Sequence, residues 1–238
     1  MTIKAILFDM DGTLVDISMQ TFLPKYFGAI SKKVAHLVPP EKLIAQLRAS
    51  TDAMVNNADS ARTLADAFNA DFFPKLGLPR EQLEPLFMDF YANEYGALGA
   101  TAQRIAGARE MLTRAFATQR HIVVATGPFF PLTAITQRLD WGGVGDFPYC
   151  FVTSYETMHA AKPRSAYYSE IAHRLNVAPN ECVMIGDDAQ MDMLPARKAG
   201  MKTFWITRNG DAASDVPCDW RGTLADVDAL LQSGELVA

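Results

Sequence analysis

Cysteine is scarce and scattered in this chain. Cys150, Cys182 and Cys218 are odd in number and have no CxxC or Cys/His spacing. That excludes a disulfide framework and a structural zinc site, and it points to a reducing, cytoplasmic setting. Runs of Lys and Arg are also missing and the formal net charge is -5, so the chain lacks the clustered positive charge expected of a nucleic-acid partner. No apolar run approaches the ~20 residues that span a bilayer. The apolar part of the opening "MTIKAILFDMDG" is only a few residues long and ends in acids, which reads as neither a signal peptide nor a membrane segment. The histidines, His36, His121, His159 and His173, show no zinc spacing, although His159 lies close enough to Lys162 in sequence to approach a shared cleft. Internal repeats and low-complexity stretches are absent.

The chain does have ample material for a core: 238 residues, 49% of them apolar, enough for one or two domains. Short apolar runs rich in β-branched residues occur at "IKAILF", "HIVVAT", "YCFVTS", "CVMIGD" and "KTFWIT" and read as strands. Helical patterns such as "GAREMLTRAFATQ" and "PRSAYYSEIAHRLNV" lie between the later runs, and this alternation predicts a parallel sheet. In an open parallel sheet, ligands bind beyond the carboxyl ends of the strands, where Asp9, Thr126 and Asp187 would emerge.

Between the first strand and the second lie about a hundred residues, and the stretch 16–99 reads almost entirely as helix. "PPEKLIAQLRAS" starts with Pro at a first-turn position, "SARTLADAFNADFF" offers Ser60 as an N-cap, and "LPREQLEPLFMDFYANEY" repeats apolar residues at helical intervals. A four- or five-helix cap over residues 16–99 is expected, inserted into a core formed by 1–15 and 100–238, with the Gly-rich "GALGATAQRIAGA" as a hinge.

Asp9 and Asp11 in "DMDG" sit two apart, so at a strand end both can face one cleft, with Gly12 allowing a sharp turn. Close carboxylates repel, so such a pair needs a cation between its members or a proton on one of them, as a catalytic site provides; a solvated turn fits the same pattern. Thr126 and Gly127 offer a hydroxyl and backbone amides to an anion, or simply make a turn. Lys162 stands before a Pro that starts a helix, which holds its ammonium near the strand ends; a lone Lys also fits a plain surface position. Asp187, Asp188 and Asp192 after "VMIG" suit Mg²⁺, a hard cation that prefers oxygen ligands, and equally suit the positive end of a helix dipole.

Taken in order, "DMDGTLVD", "VVATGP", "AKP" and "MIGDDAQMD" resemble the four signature motifs of the haloacid dehalogenase (HAD) superfamily, and the helical insertion resembles that superfamily's type 1 cap. The resemblance implies an α/β, Rossmann-like parallel sheet with helices on both faces and a mobile helical lid. It implies Asp9 as the nucleophile that forms an aspartyl-phosphate, and Asp11 as the acid that protonates the leaving alcohol and then activates water. Mg²⁺ would be held by Asp9, Asp187 and the Asp11 carbonyl, and the phosphoryl oxygens by Thr126, Gly127 and Lys162. Asp192 would support the metal's waters or Lys162, and Asp188 would be either a supporting acid or a helix cap. Many members follow the motif-two hydroxyl with Asn, where this chain has Gly127.

Within the superfamily an acid two residues after the nucleophile indicates an oxygen leaving group, because dehalogenases usually place Tyr there and phosphonatases a small residue. The expected activity is therefore a Mg²⁺-dependent phosphatase acting on a small phosphorylated metabolite, as a monomer or homodimer. A sugar phosphomutase of the same superfamily and a non-catalytic binding protein with the same fold are the alternatives. Phe22, Lys25 and Tyr26, early in the cap, are candidates for reading the leaving group, whereas Phe129 and Phe130 read as core.

Overall fold

The first strand shows why a parallel sheet forms. Ala5–Phe8 (β1) carries an unbroken apolar run, AILF, with every side chain fully buried. A strand covered on both faces needs such a run, because each face must pack against helices. In the computed structural model, which describes residues 2–207 and 216–238, β1 is followed by Val15–Ile17 (β2). Four helices come next: Met19–Val34 (α1), Pro40–Val55 (α2), Leu64–Leu76 (α3) and Arg80–Asn93 (α4). A 3₁₀ stretch over Tyr95–Thr101 leads into Ala102–Arg104 (β3), which pairs antiparallel with β2 and closes the stem of the insertion.

The chain then alternates between helix and strand. Ala108–Ala117 (α5) precedes His121–Val124 (β4), and Leu132–Trp141 (α6) leads to Phe151–Val152 (β5). Ser165–Arg174 (α7) leads to Cys182–Gly186 (β6), and Leu194–Lys198 (α8) to Lys202–Ile206 (β7). Trp220–Gly222 (β8) and Leu224–Ser233 (α9) complete the order. The sheet runs β5-β4-β1-β6-β7-β8 with all pairs parallel. The chain leaves β1 to one side through β4 and β5 and returns on the other through β6, so the switch point lies at the carboxyl end of β1.

Side-chain alternation sorts the core by face. Ile6, Phe8, Ile122, Val124, Val183 and Ile185 pack with residues of α5, α6 and α9, whereas Ala5, Leu7, Val123, Cys182 and Met184 pack with α7 and α8. The first of these clusters runs on into the inserted helices through Phe22, Tyr26, Ile30 and Phe90. Each such buried apolar side chain contributes about 1.5–3 kcal/mol relative to exposure.

Several local expectations are corrected. Thr63 rather than Ser60 caps α3, its side chain accepting from the Asp66 amide at 3.1 Å, while Ser60 lies in the preceding turn. The Gly-rich stretch expected as a hinge forms the 3₁₀ stretch and β3, where β2 supplies a pairing edge. Pro163 sits in a turn, and α7 begins at Ser165. Strands β2, β3 and β8 were not expected, since each has only three residues. Among the described residues no helix is long and apolar enough to cross a membrane.

The cysteines differ in environment. Burial pushes the Cys182 thiol up to about 12, while Cys150 is exposed. A thiol reacts as its thiolate. Brief alkylation of the folded protein at neutral pH is therefore expected to label Cys150 and leave Cys182 unmodified until denaturant is added, as read by peptide mass spectrometry; labelling Cys182 as fast as Cys150 would contradict this packing.

Candidate active site at the carboxyl edge of the sheet

The loop after β1 is built around one carbonyl. The amides of Thr13, Leu14 and Val15 all donate to the Met10 carbonyl, at 3.2, 2.8 and 2.9 Å. Met10 is fully buried, and its neighbours Asp9 and Asp11 alternate away from it into a cavity of about 460 Å³. Gly12 has φ +93, and a Cβ there would lie 2.1 Å from Asp187 Oδ2. The missing side chain is what lets the β6 loop close against the β1 loop.

All the motif residues reach this one cavity: Asp9, Asp11, Thr126, Gly127, Lys162, Asp187, Asp188 and Asp192 line it. Lys162, 2% exposed, lies 2.7 Å from Asp9 Oδ1 and 2.5 Å from Asp192 Oδ1. Burial works against its ammonium, but the carboxylates of Asp192 and Asp9 outweigh that and push its pKa well up, so it stays cationic. Burial likewise pushes Asp192 upward, against the pull of Lys162. The second Asp192 oxygen accepts from the Asp188 amide at 3.2 Å, and the Tyr168 hydroxyl donates to the Met191 carbonyl at 2.6 Å. Asp188 Oδ1 caps the single π-turn Ala189–Met193, accepting from the Gln190 and Met191 amides at 2.8 and 2.9 Å. On β4's side, the Tyr167 hydroxyl donates to the Thr126 carbonyl at 2.8 Å and fixes that strand end.

A divalent cation fits the donor set. Asp9, Asp187 and Asp192 offer carboxylate oxygens that all lie within 4.8 Å of one another, the hard ligands that Mg²⁺ prefers. Asp192 is engaged through both oxygens, by Lys162 and by the Asp188 amide.

Arg138 was not among the expected residues. It projects from α6, is 1% exposed, and places Nη1 2.6 Å from Asp11 Oδ2. The signal was present in the sequence: Ala134, Ile135, Arg138 and Leu139 form the buried stripe of α6, so a charge occupies a core-facing position. Burial pushes Asp11 up to about 6, with Arg138 pulling against it and Asp9 adding to it. Met19, Phe129 and Phe130 also line the cavity, so the two phenylalanines serve both core and site. Phe22 and Tyr26 instead belong to the buried aromatic cluster of α1, Lys25 is exposed, and none of the three reaches the cavity. His159 pairs with Glu170 at 2.9 Å and does not line it.

Gly12 at the site and Gly28 inside α1 differ in what surrounds them. Gly12→Ala is expected to destabilise by at least ~2 kcal/mol, since positive φ and the Asp187 carboxylate both oppose a Cβ. Gly28→Ala, inside α1 with nothing within 4 Å, is expected to stabilise by about 0.5–1 kcal/mol. Denaturant midpoints of the two variants check both signs.

Comparison with known proteins places the chain in a family. The family model described as haloacid dehalogenase-like hydrolase matches residues 3–200. A phosphoglycolate phosphatase of Xanthomonas campestris pv. campestris is 31% identical over 226 residues, 92% of this chain and 89% of the relative. One of Xylella fastidiosa is 27% identical over 232 residues, 96% of this chain and 91% of the relative. Among solved structures, an HAD phosphatase from Thermococcus onnurineus superposes with TM-score 0.60 at 23% identity, covering 96% of this chain and 98% of the other. A 2-haloacid dehalogenase from Pseudomonas syringae pv. Tomato gives 0.65 at 21% identity, covering 98% and 99%. The fold is thus shared by both reaction types, and the chain belongs to the haloacid dehalogenase-like hydrolases, grouping by sequence with their phosphatases.

Proposed function

We propose that the protein is a Mg²⁺-dependent phosphatase that hydrolyses a small phosphorylated metabolite through an aspartyl-phosphate on Asp9. The observation that carries this reading is one cavity holding a carboxylate beside a buried cation, Asp9 with Lys162 at 2.7 Å, together with a second acid, Asp11, two residues on. The phosphatase names of relatives aligned over most of the chain support the same reading.

The chemistry follows from the side chains. Asp9 attacks phosphorus, and the bond from phosphorus to the ester oxygen breaks. Asp11 gives its proton to the departing oxygen, and an upward-shifted pKa near 6 suits a group that must carry that proton. Asp11 then takes a proton from water, which attacks phosphorus, breaks the Asp9–phosphorus bond and frees inorganic phosphate. Lys162 and Thr126 hold the phosphoryl oxygens and keep them in line, and phosphoryl transfer depends chiefly on such positioning and charge. Mg²⁺, held by Asp9 and Asp187 with help from the Asp11 carbonyl, would offset the repulsion between a carboxylate nucleophile and a phosphate dianion. Asp192 supports Lys162, and Asp188 shapes the loop as a cap. Residues 16–99 act as the cap over a core of 1–15 and 100–238, and a cavity of this size suits a small substrate.

Phosphate release from an aryl phosphate is the test. Native protein with Mg²⁺ is expected to turn over, and chelator or Asp9→Asn to lower the rate by at least ~10³-fold. Turnover that survives Asp9→Asn would refute the nucleophile. Isomerisation of a hexose phosphate in the presence of its bisphosphate, without phosphate release, would instead favour a mutase.

A further inference from the structure

Asp9 and Asp11 each meet a buried cation. Lys162 serves Asp9 and Asp192 together, whereas Arg138, 1% exposed, donates from Nη1 to Asp11 Oδ2 at 2.6 Å. Burying a guanidinium is costly, and such a group normally offsets the cost by using most of its N–H donors. Arg138 does not: Nε and Nη2 are buried with no hydrogen-bond partner among the described residues. An apolar side chain would fill that place in the buried stripe of α6 without the cost. Packing of the helix therefore does not account for the arginine, and its contact with Asp11 does.

The surroundings aim that cation. Its guanidinium lies 4.7 Å from the Phe130 ring centre and 5.9 Å from that of Phe22, and Phe22 in turn meets Tyr95 edge-on. Phenyl rings hold a planar cation by its charge and shape but offer it no hydrogen-bond acceptor, so the bond to Asp11 sets its direction. The constraint acts on Asp11 as well. An arginine side chain can only donate, so Oδ2 is committed as an acceptor. Asp11 Oδ1 is buried with no hydrogen-bond partner among the described residues, and Asp11 lines the cavity. The two oxygens of one carboxyl group are thus unequal, one held and one open to the reacting groups.

We propose that Arg138 is the positioning residue for Asp11: by holding Oδ2 it fixes the rotamer of the carboxyl group and assigns proton transfer to Oδ1. This rests on the phosphatase reading above. As the bond from phosphorus to the ester oxygen breaks, the proton on Oδ1 passes to that oxygen and the alcohol leaves neutral. The electron pair of the former O–H bond stays on Asp11, whose carboxylate then has the guanidinium as its counter-ion. A carboxyl group held at one oxygen is oriented before the reaction rather than during it, and such orientation is worth a large part of a catalytic group's effect. Arg138 itself touches neither the phosphorus nor the ester oxygen and acts through Asp11.

The test compares benzyl phosphate with 4-nitrophenyl phosphate, two esters of similar size. The benzyl alcohol needs a proton to depart, whereas 4-nitrophenolate departs without one. The measured quantity is kcat/KM, which covers the steps up to release of the alcohol and leaves the later attack of water aside. Arg138→Met is expected to lower it by about 100-fold for benzyl phosphate and by less than about 5-fold for 4-nitrophenyl phosphate, because the loss falls on general acid catalysis. Arg138→Lys should show a smaller loss of the same selectivity, about 10-fold on benzyl phosphate. In an Asp11→Asn background, Arg138→Met should lower the benzyl phosphate value no further, as expected of two groups that act as one unit. Equal losses on both esters would overturn the inference and make Arg138 a packing element, and so would an undiminished benzyl phosphate value in Arg138→Met. Where Arg138→Met does not fold, Arg138→Lys decides: a ratio between the esters unchanged from the native protein would overturn the inference. Native protein that hydrolyses 4-nitrophenyl phosphate but not benzyl phosphate would overturn it too, while leaving the phosphatase reading intact. Release of phosphate from neither ester by native protein would overturn the underlying reading as well.

Discussion

The site depends on one buried ion network. Among the described residues, five carboxylates, Asp9, Asp11, Asp187, Asp188 and Asp192, converge on one cavity that two basic side chains, Lys162 and Arg138, also line. Lys162 bridges Asp9 and Asp192, joining the end of β1 to the loop after β6 across 153 and 30 residues of sequence. Removing either partner of a buried pair leaves an uncompensated charge, which costs far more than the pair gains by forming. The network therefore fixes the spacing of the loops more firmly than any single apolar contact there. Its residual negative charge is also the reason the cavity suits a divalent cation.

The glycines around this network mark where loops must approach. Gly12 yields to Asp187, and Gly186 yields to Asp192, whose Oδ2 would lie 2.2 Å from a Cβ there. Each carboxylate is thus set beside a backbone with no side chain. The inserted helices are tied to the same region: the Leu64 and Ala65 amides donate to the Met158 and Tyr155 carbonyls, each at 2.8 Å, on the segment that leads to Lys162. Arg164, two residues beyond Lys162, donates to the Asn57 carbonyl. The inserted helices and the Lys162 segment are thus coupled through backbone, so displacement of one is transmitted to the other.

Much of this was legible in the sequence because the chemistry lies at strand ends. Asp9, Thr126 and Asp187 each terminate an apolar run, and a parallel sheet brings such ends to one edge whatever the loops do. Residues whose role depends on distant partners were not legible in this way. Arg138 meets Asp11 across 127 residues, and only its place in the apolar stripe of α6 hints that it faces inward. Phe22 and Tyr26 lie close in sequence to the Asp9–Asp11 loop, yet α1 turns them into an aromatic cluster with Tyr95, Phe90 and Phe130. Three-residue strands such as β8 carry too few positions for a period to register.

The departure at Gly127 has a structural reason that joins these threads. A Cβ at that position would meet the Phe129 ring at 2.7 Å, so the aromatic ring fills the space that a side chain such as Asn would need. The turn that folds it back is closed by the Phe129 amide on the Gly127 carbonyl at 2.8 Å. The next residue, Phe130, supplies the face on which the Arg138 guanidinium rests. Substituting Asn at Gly127 would drive Phe129 away and disturb the platform beside it, so Gly127, Phe129, Phe130 and Arg138 pack as one unit. In place of a polar side chain beside Asp9, this chain has an aromatic wall, and a charged group, Arg138, stands further out beside Asp11. Thr126 and Gly127 thus still line the cavity while the wall behind them is aromatic and carries a guanidinium.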